Sequence, residues 1–344
     1  MHCEIKRCGI TGLALLLIML IGAACSDAKI VNSSEQDQSD GNMLSLPTVR
    51  PVQLGERPLQ VIATTSIIGD VVANVGGSDI ELKTLMDLGQ DPHSFEPGAA
   101  ELTAVATADV IFVNGWDLEE GLADDLATIS GTTPVVAVGA NIDPLTDGDG
   151  ERISEGDSHV SHDHSHADPH TWFSVPNVQQ WVENITLILS DLDPDNKASY
   201  EENARAYLLE LEDLDTYHRE QIATIPVEKR ILVTNHGVFN YFAQEYGMQI
   251  VGTVIPSTST QAEPSAGDLA QLVKDMELVG ACTIFTGVFA SDDLAKTVAQ
   301  EMSDCDKVKI VPLYTGSLGP NGSGADSYTS MIKVNLDRIV EGLQ

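Results

Sequence analysis

The chain has 344 residues, 42% of them hydrophobic, and carries 52 acidic against 18 basic side chains, a formal net charge of −34. Such a length suits two lobes of ordinary domain size, and the apolar content lets each bury a core. The charge argues against nucleic-acid phosphate and against a polybasic membrane contact, and leaves a soluble surface that draws cations.

Residues 1–24 read as an export signal. Lys6 and Arg7 precede an apolar run from Ile10 to Ile21 that is too short for a typical membrane span. Gly22, Ala23 and Ala24 then lead to Cys25, an arrangement that resembles a bacterial lipoprotein signal with Cys25 as the lipidated mature N-terminus; a simple secretory signal is the alternative. Residues 25–57 are rich in Ser, Asn, Gln and Asp and read as a flexible tether between a membrane anchor and a folded body. Localisation outside the cytoplasmic membrane is therefore expected. Cys3 and Cys8 leave with the signal, so Cys282 and Cys305 remain as an even pair in an oxidising compartment, forming either a disulfide or two buried thiols.

From residue 58 the pattern is α/β. Leu59–Thr65 is a continuous apolar run suited to a buried parallel strand, followed by a helix from Ser66 to Val75 closed by Gly76 and Gly77. Strands at Ile80–Met86, Asp109–Asn114 and Pro134–Val138 alternate with helices at Gly98–Ala108 and Leu118–Ile129. Asp117, Glu119 and Glu120 read as a solvated start to the latter helix, favoured by its dipole. A polar insertion, residues 139–167, interrupts the rhythm and is longer than ordinary connections. Helical spacing resumes from Val178 to Leu192. Asp193-Pro194 is expected to cap a further helix running to Ile222, so that residues 191–225 link an N-terminal lobe (58–190) to a C-terminal one (226–344). In the second lobe strands are expected at Arg230–Thr234, Gln249–Ile255, Cys282–Val288 and Lys307–Leu313, with helices at Phe239–Tyr246, Ser265–Val279, Asp292–Met302 and Ser327–Leu343. The fold class is thus two parallel sheets covered by helices and joined by a long helix.

Five of the nine histidines lie in one stretch, Asp157 to His170: His159, His162, His164, His166 and His170. Neutral imidazole is a common ligand for zinc and its neighbours, so the composition is that of a metal-binding tract. In α/β sheets, ligands bind beyond the carboxyl ends of strands. His93 follows the second strand, His170 follows the fourth strand and its insertion, and His236 directly follows the first strand of lobe two. Two of these sit in the same tripeptide, Asp-Pro-His, and all three lie on loops able to face one inter-lobe cleft, which points to a shared metal. His218, on a helical face, is expected to be core or surface rather than a ligand.

The segments Asp91–Pro97, Asp168–Phe173, Val233–Phe242, Ser259–Ser265 and Leu318–Asp326 resemble, in order, the zinc/manganese-binding lipoproteins of bacterial ABC importers. That resemblance implies His93, His170 and His236 as metal ligands, with a fourth position filled by an acidic residue or water near Phe285–Asp293. Gly287 stands where many relatives have a carboxylate, so Asp292 is the expected fourth ligand, with Asp293, Glu263 and water as rivals. It further implies that His159, His162, His164 and His166 form an accessory metal-collecting loop. Three imidazoles plus an oxygen suit four-coordinate Zn²⁺, and Mn²⁺ prefers oxygen-rich octahedral sites. The expected function is a monomeric binding protein, not an enzyme, that delivers Zn²⁺ to an ABC permease. A manganese-specific homologue, a secreted zinc hydrolase and a metal buffer or adhesin are the alternatives.

Overall fold

The computed structural model describes residues 43–146 and 167–344. Cys25, the export signal and His159, His162, His164 and His166 lie outside the described residues. Two four-stranded parallel sheets form the frame. The first contains β1 (Leu59–Ala63), β2 (Ile80–Thr84), β3 (Val110–Val113) and β4 (Val135–Ala137), in the order β2-β1-β3-β4. The second contains β5 (Ile231–Thr234), β6 (Gln249–Thr253), β7 (Thr283–Gly287) and β8 (Lys309–Leu313), in the equivalent order β6-β5-β7-β8. In each sheet the crossover direction reverses at the first strand, and the carboxyl ends of such strands are where ligands bind.

Side-chain alternation along the strands divides the packing. Val61 and Ala63 of β1, with Val110 and Phe112 of β3, enter one core, while Ile62 and Ile111 point into another on the opposite face. In the second lobe Leu232 and Phe285 face the first of these cores, and Val233 and Ile284 face a third. Helices α2 (Ala99–Val105) and α3 (Ala123–Ile129) cover the outer face of sheet one; α7 (Ala266–Val279) and α8 (Asp293–Glu301) cover that of sheet two. The remaining helices, α1 (Ser66–Gly76), α4 (Val175–Leu192), α5 (Lys197–Ala223), α6 (Asn240–Tyr246) and α9 (Tyr328–Leu343), enclose one continuous core that runs from sheet to sheet. Trp172, Trp181, Tyr200 and Tyr328 are fully buried in it.

Helix α5 presents Tyr200, Ala204, Tyr207, Leu211, Leu214 and Ile222 to this core at helical spacing and packs on α1 and α4 of the first lobe and on α6 and α9 of the second. Asp193 does not cap α5, as its sequence position predicts; it terminates α4, and its carboxylate accepts from Asn196 Nδ2 and Tyr200 OH at 2.8 and 2.9 Å. Residues 43–57, expected to be free tether, are docked. Leu46, Val49, Val52 and Leu54 pack on the continuous core, and Val52 N–H donates to Leu192 O at 2.8 Å. These apolar residues recur among polar neighbours at no regular period, which is why the stretch reads as linker.

The expected helix from Leu118 starts instead at Ala123. Trp116 and Asp117 have φ of 49° and 58°, a left-handed pair that no helix start accommodates. Glu119 is buried, accepting from Thr64 Oγ1 at 2.6 Å and Asn114 N–H at 2.7 Å, so it is not a solvated residue. Cys282 and Cys305 are joined as a disulfide, with Cα atoms 5.9 Å apart. Among the described residues no helix is long and apolar enough to cross a membrane.

Candidate metal centre

The loop leaving β2 carries Asp91-Pro92-His93. Proline fixes the middle residue, and Asp91 Oδ1 accepts the His93 backbone N–H at 3.1 Å, closing an Asx turn that presents the imidazole inward. The loop before α4 repeats the device: Asp168 Oδ1 accepts the His170 N–H at 2.9 Å. Here the same oxygen also lies 2.7 Å from His170 Nδ1, which leaves Nε2 to face the site. Asn114, at the end of β3, fastens this second turn by donating to Pro169 O at 2.8 Å. His236 comes from the opposite lobe, two residues beyond β5. Its carbonyl accepts from Thr234 Oγ1 and from Val238 N–H, both at 2.8 Å.

These three imidazoles meet. One ring nitrogen from each of His93, His170 and His236 lies within 4.8 Å of the others, the set of described His, Cys, Asp and Glu residues that could grip one ion. His93 Nε2 and His170 Nε2 are 3.2 Å apart, and all three side chains are buried. The rings stand at steep angles to one another, 53° to 88°, with centroids 5.1 to 5.9 Å apart, so they converge on a point rather than stack. Trp172 packs its ring against His170 at 5.1 Å and walls the site.

What stands behind each imidazole differs. His170 is backed by fully buried Asp168, His93 by Glu120, whose Oε1 is 3.2 Å from Nδ1 and whose side chain is 41% exposed, and His236 Nδ1 is buried with no hydrogen-bond partner. Burial, reinforced by the neighbouring imidazoles, holds His170 and His236 well below the ordinary imidazole range, so both rings are neutral and able to ligate. Burial pushes the Asp168 carboxyl up to about 7. The cavity between the rings measures about 90 Å³. That is room for a metal ion together with several waters, at about 10–15 Å³ for each water on the same measure.

Asp292 is not brought to this group. It stands at the N-cap of α8, and its carboxylate is paired with Lys296 Nζ at 2.5 Å, one helical turn along. Asp293 also faces Lys296 and is 87% exposed; Glu263 is exposed. Gly287, at the end of β7, has no room to spare: a Cβ there would lie 3.1 Å from Ala290 Cβ and 3.2 Å from Thr315 Oγ1. Among the described residues, then, the group that could hold one ion consists of three imidazole nitrogens, and neither Asp292, Asp293 nor Glu263 is part of it. Glu120 was missed as a partner of His93 because it sits in an acidic run that resembles a helix start. His218 is buried against Phe242 and Tyr246, far from the group in role, and burial lowers it to about 4.

Residues 61–342 match the protein family described as "ZnuA: Zinc-uptake complex component A periplasmic". The manganese ABC transporter substrate-binding lipoprotein scaA of Streptococcus gordonii is 32% identical over 343 residues, covering 98% of this chain and 99% of that protein. The manganese-binding lipoprotein MntA of Halalkalibacterium halodurans is 33% identical over 291 residues, 83% of this chain and 88% of that one. Among solved structures, the periplasmic zinc-binding protein TroA from Treponema pallidum superposes with a TM-score of 0.72 at 28% identity, over 83% of this chain and 99% of that chain. The Mn-bound periplasmic metal-binding protein from candidatus Liberibacter asiaticus gives 0.71 at 28% identity, over 83% and 100%.

Proposed function

The chain belongs to the ZnuA family of substrate-binding components of metal ABC importers, and from that premise we propose that its cargo is Zn²⁺, gripped by His93, His170 and His236 with water in the fourth position. The observation that carries this reading is the convergence of three buried imidazoles from two lobes with no carboxylate in the group. Nitrogen ligands in a four-coordinate set suit Zn²⁺, whereas Mn²⁺ favours carboxylate, carbonyl and water oxygens in six-coordinate sites. The names of the curated relatives above point to manganese, so the donor set of this chain is what favours zinc.

A permease partner follows from the family. Lipidation at Cys25 would hold the protein to the outer face of the membrane, and a monomer suffices for delivery. His159, His162, His164 and His166 would serve as a weaker collector feeding the cleft. A secreted zinc hydrolase is disfavoured by the family, whose members are binding proteins. The test is competitive calorimetry of metal-free protein with Zn²⁺ and Mn²⁺. One tight site is expected, with Zn²⁺ bound on the order of 100-fold more tightly than Mn²⁺. Tighter binding of Mn²⁺ would overturn the cargo assignment.

A further inference from the structure

The two aspartates of the Asp-Pro-His turns have a second set of partners, and both partners come from the opposite lobe. Asp91 Oδ2 accepts from Thr260 Oγ1 at 2.6 Å; Thr260 lies in the connection between β6 and α7. Asp168 Oδ2 accepts from Asn240 Nδ2 at 3.0 Å; Asn240 is the first residue of α6. In each turn, then, one carboxylate oxygen holds the ligand's own backbone N–H and the other is held by lobe two. Neither bond is local, since 169 and 72 residues separate the partners. Asn240 Nδ2 also reaches Gly237 O at 3.3 Å, beside the third ligand, and Gln261 Nε2 reaches His93 O at 3.3 Å.

From this wiring we propose that Asp91–Thr260 and Asp168–Asn240 are paired inter-lobe latches, and that Thr260 and Asn240 are positioning residues that act on ligands of the lobe to which they do not belong. The proposal rests on reading His93, His170 and His236 as the ligands. Closing the cleft brings His236 to the other two imidazoles and, in the same movement, fixes the turns that aim them. Parting the lobes removes one ligand and loosens the other two, so grip on the ion falls off more steeply with opening than loss of a single imidazole would give. A carboxylate hydrogen bond to a neutral donor is strong enough to matter here, and partners that orient metal ligands typically change affinity about 10- to 100-fold when removed.

The test uses full-length protein loaded with Zn²⁺ and follows metal loss to an excess of chromogenic chelator by stopped flow. Thr260→Val keeps the shape and removes the donor. Its dissociation rate is expected to rise roughly tenfold, with the melting temperature of the metal-free protein unchanged, and Thr260→Ser is expected to restore the slow rate. Asp91→Ala removes the Thr260 bond together with the one to His93 N–H, so adding Thr260→Val to it should have no further effect. A wild-type rate in Thr260→Val, additive effects in the pair, or a parallel loss of metal-free stability would each overturn the latch. His236→Ala in the same assay separates the two readings: if it too releases zinc at the wild-type rate, the ligand assignment fails rather than the latch.

Discussion

Replacing His236 by alanine takes away the imidazole that lobe two contributes to the proposed metal site, and its consequences for metal and for folding should diverge. A four-ligand zinc site contributes about 10–16 kcal/mol, or roughly 3–4 kcal/mol for each ligand, which is two to three orders of magnitude in Kd. His93 and His170, with Nε2 atoms 3.2 Å apart, remain as a two-nitrogen pair, so weak binding should persist rather than vanish. The folded chain itself loses little. The imidazole is buried, but its Nδ1 lacks a partner, so truncation leaves a small cavity while relieving an unsatisfied polar atom whose burial costs about 1–3 kcal/mol. Differential scanning calorimetry with and without Zn²⁺ reads both quantities. Zinc at a hundred times the wild-type Kd should stabilise wild type by about 2.7 kcal/mol and the variant by only about 0.05–0.4 kcal/mol, with the metal-free midpoints close together. A variant that keeps the full zinc-induced rise would refute the assignment of the third ligand.

Three further expectations follow from particular contacts. Asp292→Ala should leave zinc affinity within about twofold and stability close to wild type, since its pair with Lys296 is exposed and screened by solvent; a tenfold loss by calorimetry would show that the carboxylate swings into the site when metal arrives. Replacing both Cys282 and Cys305 by alanine should cost roughly 3 kcal/mol in urea unfolding, as expected for a cross-link closing a 23-residue separation. Zinc affinity should stay unchanged, since Cys282 precedes β7 and the imidazoles gather at the other ends of the strands; a coupled loss of affinity would contradict this separation. Metal-free stability should fall as pH drops through about 6.5, because unfolded chains then take up protons that His170, His236 and His218 refuse while folded. Asp168, with its carboxyl raised to about 7, and Glu119, also raised by burial, bind protons in the folded state and oppose the trend. The net slope should be on the order of 1–3 kcal/mol per pH unit, and midpoints that rise on acidification would contradict it.

Much of this architecture is legible in the chain because local rules and tertiary packing agree. Apolar runs such as Leu59–Ala63 became buried parallel strands, Gly247 closes α6 in the left-handed conformation, and Ser265 heads α7 with a capping box. The three histidines were visible because strand ends and a repeated turn tripeptide are local signals. Long-range partners were not. Glu120 reaches His93 across 27 residues, and nothing near it in sequence distinguishes it from Asp117. Asp292 was misplaced because a carboxylate at a strand-to-helix turn resembles a ligand until Lys296, four residues on, is seen to occupy it. The docking of residues 43–57 likewise depends on a groove assembled by distant helices.

The continuous core that unites the sheets also bears on how the fold closes. Helix α9 packs against α1, and across 258 residues Tyr328 N–H donates to Asp70 Oδ2 at 2.9 Å while its hydroxyl donates to Trp172 O at 2.8 Å. The inner face of the N-terminal lobe is therefore covered in part by a sixteen-residue helix that belongs to the other lobe. Contacts between segments so far apart in sequence carry a high loop-closure cost, so the inner face of the first sheet and the helix that covers it are expected to become protected together and late in refolding.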